Sequence, residues 1–299
     1  MRIDLHTHSD VSDGTDRPAE LVARAAAAGL DAVALTDHDT TAGWAQALAA
    51  APPGLRVVPG AELSTCTDDA ITVHLLAYGF DQGAPALVRE QAMLRQRRRE
   101  RLRRIARGMA ADGLPVDEDA VFAGLAPDVP AGRPHLAAAL VEAGAVASVQ
   151  EAFDRYLRDG GPYYVRRDDT PLLDAVRMIA DAGGVTVLAH PLAARGGRVI
   201  GEGVIAELAA AGLAGVEVDH PQHDEPARRR LRWIAAELGL VVTGGSDYHG
   251  ANKPTPLGAE TTAPAAFDAL MAKAADAADA ADAARASATS RATRTRTAG

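Results

Sequence analysis

Short apolar runs alternate with longer stretches of helical periodicity along most of this chain. Apolar, β-type runs at residues 2–5, 32–35, 55–58 and 71–78 are interleaved with amphipathic segments at 18–28 and 41–50. The alternation resumes with helical segments at 171–182, 204–211 and 226–238 and apolar runs at 185–188, 215–218 and 240–243. Strand followed by helix, repeated, predicts a mostly parallel sheet or barrel, because parallel neighbours need a crossover long enough to hold a helix. Pro18, Pro171 and Pro226 stand near the predicted helix starts, and Gly29, Gly183, Gly212 and Gly239 just past predicted ends.

Between about Gly83 and Arg167 the alternation stops, and the pattern predicts only helices, at 84–111, 117–122, 134–143 and 148–157. The expected organisation is therefore an α/β body made of residues 1–82 and 168–272, interrupted by a helical insertion at 83–167. From Lys273 the sequence falls into Ala, Asp, Thr and Arg repeats ending in Thr293-Arg294-Thr295-Arg296-Thr297. With so few large apolar residues, 273–299 is expected to be a low-complexity tail, disordered or at most a frayed helix.

A length of 299 residues suits one large α/β domain with an insertion, and 47% apolar content places it among globular proteins. The net charge of −9 argues against a partner such as long duplex nucleic acid, while leaving room for a local basic patch that holds a phosphorylated ligand. Cys66 has no second cysteine to pair with, and the first residues read as a strand instead of a signal segment, so a cytoplasmic protein is expected. No apolar run reaches the ~20 residues that span a bilayer, so no membrane association is expected.

Metal-competent side chains collect at the strand ends. His6, His8, Asp13, His38, Glu62, His74, His190, Asp247 and His249 each follow a predicted strand or face inward on one. Ligands in barrels and doubly wound folds bind at the carboxyl ends of strands, where loops converge. Each residue has a plain reading: His74 as a hydrogen-bonded core histidine, Asp13 as a turn residue before Gly14, Glu62 as a surface carboxylate. Together those readings weaken, since burying so many ionisable groups without cations is costly. Imidazole and carboxylate suit Zn, Mn or Fe. Asp37 and Asp39 flank His38 and are expected to orient it or cap the next helix.

The runs DLHTHSDVSDG, ALTDHDT, PGAELST, VHLLAY, LAHP, GVEV and GGSDYHG, in that order over roughly Met1 to Leu270, resemble the motifs of the polymerase and histidinol phosphatase (PHP) superfamily. The resemblance implies a distorted, TIM-like (β/α)7 barrel with up to three divalent ions. It implies that His6, His8, Glu62 and Asp247 hold one ion, that Glu62 bridges to a second held by His74 and His190, and that Asp13, His38 and His249 hold a third. Some members carry histidine where this chain has Asp13, and a carboxylate there inclines the site toward Mn or Fe over Zn. Manganese is the favoured ion. Such a cluster would activate water and neutralise phosphoryl charge, so that phosphate ester hydrolysis needs no protein nucleophile. In the loop after GVEV, His223 is a candidate proton donor or substrate contact and His220 a plain loop residue.

The insertion carries the substrate signal. Arg97, Arg101 and Arg104 recur at helical spacing, which is either a solvated face or a phosphate clamp, and Arg133 with His135 stands at a predicted helix start. An Arg-rich helix with a GRPH-like run resembles the PHP subgroup that hydrolyses nucleoside 3′,5′-bisphosphates and removes nucleotides from the 5′ ends of short RNAs. One phosphate would then sit at the metals and another at Arg101, Arg104 and Arg133. The alternatives are a histidinol-phosphate phosphatase or other small-molecule phosphatase, a metal-binding structural module, and an RNA-binding protein without hydrolysis.

Overall fold

The computed structural model describes the chain apart from residues 70, 126–128, 130, 194–198 and 298–299, and apart from the side chains beyond residue 287. Its strands are β1 (Ile3–Asp4), β2 (Ala32–Leu35), β3 (Arg56–Cys66), β4 (Thr72–Tyr78), β5 (Thr170–Pro171), β6 (Val185–Ala189), β7 (Gly215–Asp219) and β8 (Val241–Gly244). They form one sheet in the order β1-β2-β3-β4-β6-β7-β8, with the short β5 paired to β3. A parallel bridge from Thr7 to Tyr248, with the His8 amide donating to the Tyr248 carbonyl at 2.8 Å, ties the first strand to the last and nearly closes the barrel.

One strand departs from the parallel pattern. β4 runs antiparallel to both β3 and β6, because only five residues, with the Thr67 amide donating to the Ile71 carbonyl at 3.0 Å, separate it from β3. A turn that short joins only antiparallel strands. The amino end of β4 therefore lies beside the carboxyl ends of its neighbours.

Side chains alternate across each strand. Val33, Leu35, Ala61, Leu63, Val73, Leu75, Leu188, Val216 and Val218 belong to the cluster that packs under the outer helices. These are α1 (Pro18–Ala27), α2 (Trp44–Ala49), α7 (Leu172–Asp181), α8 (Glu202–Ala210) and α9 (Glu225–Leu238). The opposite parity supplies the barrel interior, with Ile3, Leu5, Ala34, Val58, Leu76, Tyr78, Val187 and Ala189. Glu62 shares the parity of Val58, His74 that of Leu76 and Tyr78, and Glu217 stands opposite to Val216 and Val218. The interior thus passes from apolar layers at one end to ionisable groups at the other.

The remaining α-helices are α3 (Pro85–Ala111), α4 (Glu118–Ala123), α5 (Arg133–Glu142), α6 (Val149–Ala152) continued by one π-turn at Phe153–Leu157, and α10 (Pro264–Thr297), with a 3-10 turn at Gly250–Asn252. α3 carries Leu87 into the barrel-side cluster, while its Leu102, Ile105 and Met109 join Leu136, Leu140 and Leu157 in a separate helical core.

The stretch from residue 273, expected to be disordered or at most a frayed helix, continues α10 through Thr297. Phe267, Leu270 and Ala274 close the apolar end of the barrel. A Cβ on Gly79 would lie 2.9 Å from the Ala274 Cβ, and one on Gly183 3.2 Å from the Ala281 Cβ. Alanine has the highest helix propensity and is small enough for such approach, so the composition that suggested disorder is what lets the helix dock. Among the described residues no helix is long and apolar enough to cross a membrane.

Candidate metal centre and the cavity above it

All nine metal-competent residues singled out in the sequence meet at the ionisable end of the barrel. Ligand-capable atoms fall into overlapping groups within 4.8 Å: His6, His8, Glu62 and Asp247; His8, Asp13, His38 and His249; His38, Glu62 and His74; and His6, His190 and Glu217. Glu62 is at the centre. Its Oε1 lies 2.6 Å from His74 Nδ1 and 3.1 Å from His190 Nε2, while Oε2 lies 3.2 Å from His6 Nε2, 3.1 Å from His8 Nε2 and 3.2 Å from His38 Nδ1. Asp247 Oδ1 stands 3.5 Å from both His6 Nε2 and His8 Nε2, and Asp13 Oδ1 3.2 Å from His249 Nε2.

The backbone is strained where these residues converge. Asp39, His190 and Asp247 hold φ of 52°, 27° and 52°, the left-handed region that side-chain-bearing residues seldom occupy and that clusters at functional sites. Asp37 and Asp39 do not cap the following helix, α2, whose N-cap is Gly43 and which has no side-chain cap. Asp37 accepts from the Ser9 amide at 2.8 Å and from the Ser12 hydroxyl at 2.6 Å. Asp39 accepts from the Ser64 amide at 2.7 Å and pairs with Arg98 Nε at 2.5 Å. They pin the loops that carry the histidines.

The chemistry of the donor set fits divalent cations. His6 Nε2, both nitrogens of His8 and His38 Nδ1 are buried without a hydrogen-bond partner among the described residues, although each faces a carboxylate. Leaving so many polar atoms unsatisfied is costly, and a cation between them would satisfy imidazole and carboxylate together. Burial presses His6 and His8 toward the neutral form. Even so, Glu217, Glu62 and Asp247 hold His6 well above its ordinary range, and Asp247 with Glu62 holds His8 up to about 9. Burial itself prevails at His38, pushed down to about 3.

Above this cluster lies a cavity of about 340 Å³ bounded by Asp13, His38, His74 and His249 on the barrel side. Its other walls carry Arg98, Arg101, Arg133, Arg167 and Lys253. Arg101 is 9% exposed, donates through Nε to the Val165 carbonyl at 2.6 Å, and leaves Nη2 unsatisfied. Burial, with Arg133, Arg167 and Arg98 close by, pulls its guanidinium down to about 9. Arg133 is aimed by the Leu157 carbonyl at 2.6 Å and the Asp159 carboxylate at 2.7 Å. Such a concentration of positive charge is stable beside an anion.

Of the arginines picked by helical spacing, Arg101 alone reaches this cavity. Arg97 lies beside Asp168, Nε at 3.4 Å from its carboxylate, and Arg104 is exposed. Arg98 was overlooked, although Leu87, Gln91, Leu94, Arg98, Arg101 and Ile105 mark the inward face of α3 at helical spacing. His135 lines a different groove, between α4 and α5, and its Nδ1 is 3.1 Å from the Gly132 amide nitrogen. His223 is bound by backbone at both ring nitrogens, Nδ1 donating to the Val218 carbonyl at 2.9 Å and Nε2 accepting from the Leu192 amide at 3.3 Å. Its neighbour His220, expected as a plain loop residue, is buried with Nε2 3.4 Å from Asp247 Oδ2. Glu217 and Lys253 were also missed. Inward parity in the GVEV run was the available signal for Glu217, and nothing local marks Lys253, whose Nζ lies 2.5 Å from Asp247 Oδ2.

Residues 4–111 match the family model described as the PHP domain. The chain is 38% identical over 248 residues to the 3′,5′-nucleoside bisphosphate phosphatase of Chromobacterium violaceum, covering 83% of this chain and 87% of that protein. It is 36% identical to the phosphoribosyl 1,2-cyclic phosphate 1,2-diphosphodiesterase of Eggerthella lenta, over 83% and 94% of the two chains. It is 34% identical to the 5′-3′ exoribonuclease of Haemophilus influenzae, over 83% and 90%. Among solved structures, a protein of Bifidobacterium adolescentis described as a metal-dependent phosphoesterase superposes with a TM-score of 0.87 at 34% identity, over 91% of this chain and 96% of that one.

Proposed function

This chain belongs to the PHP family of metal-dependent phosphoesterases, and from that premise we propose that its substrates are nucleoside 3′,5′-bisphosphates and the 5′ ends of short RNAs. The reaction proposed is hydrolysis of the ester at the ribose 3′ oxygen. The observation that carries this reading is a single cavity whose floor is the His and carboxylate cluster and whose walls are Arg98, Arg101, Arg133 and Arg167. A substrate with one phosphate fills only half of that charge pattern.

In this reading His6, His8, Glu62 and Asp247 hold one ion, His74 and His190 with the other oxygen of Glu62 a second, and Asp13, His38 and His249 a third, with manganese favoured. Divalent ions in such a site supply positive charge to phosphoryl oxygens and make water acidic enough to attack near neutral pH. The residues of this chain do the positioning. Glu62 divides its two oxygens between the two groups of imidazoles, and Asp37 and Asp39 fix the loops around them. Arg101 and Arg133, each held by a backbone carbonyl, keep their remaining N–H groups for the second phosphate. His223, with both ring nitrogens engaged, serves as a brace between two loops and not as a proton donor.

Comparing adenosine 3′,5′-bisphosphate with histidinol phosphate, with and without chelator, tests the reading. The bisphosphate is expected to be the better substrate by kcat/KM, and loss of turnover on chelation is expected for both. Preference for histidinol phosphate would favour the small-molecule phosphatase instead.

A further inference from the structure

Glu217 lies inside the barrel, 1% exposed, and belongs to none of the three ligand sets. Its Oε1 accepts from His6 Nδ1 at 3.0 Å, and its Oε2 accepts from the His190 backbone amide at 2.9 Å. The same His6 ring turns Nε2 toward Glu62 and Asp247, at 3.2 and 3.5 Å. His190 is the residue with φ of 27°, and it presents Nε2 to the other oxygen of Glu62 at 3.1 Å. One carboxylate thus holds a ring in one proposed ligand set and a strained backbone in another. Space is kept for the pair: a Cβ on Gly245 would stand 2.4 Å from the His6 Cβ and 3.1 Å from Glu217 Oε1.

We propose that Glu217 is a positioning residue that couples the two metal positions, fixing His6 with its proton on Nδ1 and holding the turn that aims His190. The inference rests on the ligand sets proposed above. A histidine that binds a metal through one nitrogen commonly donates the other N–H to a carboxylate, and loss of that partner weakens metal binding. The demand here is double, since two donors converge on two oxygens. An amide offers only one acceptor oxygen, so Glu217→Gln must set its NH2 group against either the His6 N–H or the His190 N–H.

The test is calorimetric titration of chelated protein with Mn2+, wild type beside E217Q, with metal-free circular dichroism and melting as the folding control. The expected result is affinity weakened by ~10- to 100-fold at two positions together, with the wild-type number of ions still bound at saturation. Affinities within twofold of wild type, or weakening confined to one position, would overturn the coupling. Loss of one ion at saturation would also overturn it, by making Glu217 a ligand. If E217Q does not fold, 15N spectra of the wild type with Zn2+ alone decide the matter: a proton on His6 Nδ1 supports the proposal, and a proton on Nε2 refutes it. A wild-type protein that binds no divalent ion would sink the ligand sets themselves, an outcome distinct from failure of the Glu217 role alone.

Discussion

Replacing Glu62 by Gln is the perturbation with the largest consequence for so small a change in shape. The carboxylate is 1% exposed and has imidazole nitrogens within 2.6 to 3.2 Å on both oxygens, His74 and His190 on one and His6, His8 and His38 on the other. Glutamine keeps the volume, removes the charge and replaces one acceptor by a donor pointing at nitrogens that must themselves act as ligands. Removing one electrostatic group from a reaction site costs about 2.7–4 kcal/mol of transition-state stabilisation. At ~1.4 kcal/mol per decade, that corresponds to ~10²- to 10³-fold in kcat/KM. The assay pairs inductively coupled plasma measurement of retained metal after dialysis with kcat/KM on adenosine 3′,5′-bisphosphate. Both should fall, metal content by at least one ion per chain. Undiminished metal and turnover in E62Q would refute the bridging role, and full metal with lost turnover would confine Glu62 to orienting water.

Three further outcomes are expected. Arg101→Met with Arg133→Met should raise KM for the bisphosphate ~10- to 100-fold, as loss of charge-assisted hydrogen bonds worth about 1.5–3 kcal/mol would, while aryl phosphates change little. Arg104→Met should alter neither, and equal effects at the two sites would contradict the cavity assignment. Truncation after Lys273 removes Ala274 and Ala281 from their seats on Gly79 and Gly183, so the melting temperature should drop, by a free energy of at least ~1.5 kcal/mol at about 0.8 kcal/mol per buried methyl-sized group. An unchanged melting curve would show that the part of α10 beyond Lys273 does not dock. The imidazolium of His8, raised from 6.5 to about 9, stabilises the metal-free fold fully below pH 6.5, and that contribution is lost between pH 6.5 and about 9. Metal affinity should strengthen over the same interval as the competing proton leaves. Parallel trends in calorimetry and melting would argue against proton competition at the site.

The candidate metal cluster was legible because its signal is local: imidazoles and carboxylates at the ends of short apolar runs, all nine of which the fold brings together. The parallel barrel was legible for the same reason, through alternation of period-2 and helical segments. β4 was not, since strand direction depends on loop length more than on the strand's own residues. Arg98 escaped because the face of α3 that meets the barrel is set by Leu87 and Leu94, not by charge spacing, and Arg167 because it stands outside any helix, in the stretch before β5 that only the fold brings to the cavity. The backbone engagement of His223 was not legible because its partners come from strand β7, at Val218, and from the loop after β6, at Leu192. The docking of the helical end of the chain was not legible because alanine, poor in buried area, packs well where glycines admit it.

The most direct test is product analysis on chelated protein before and after adding Mn2+, with adenosine 3′,5′-bisphosphate as substrate. The account predicts no turnover without metal and, with it, stoichiometric adenosine 5′-phosphate and inorganic phosphate. Metal-independent turnover, or release of the 5′-phosphate in place of the 3′-phosphate, would contradict it.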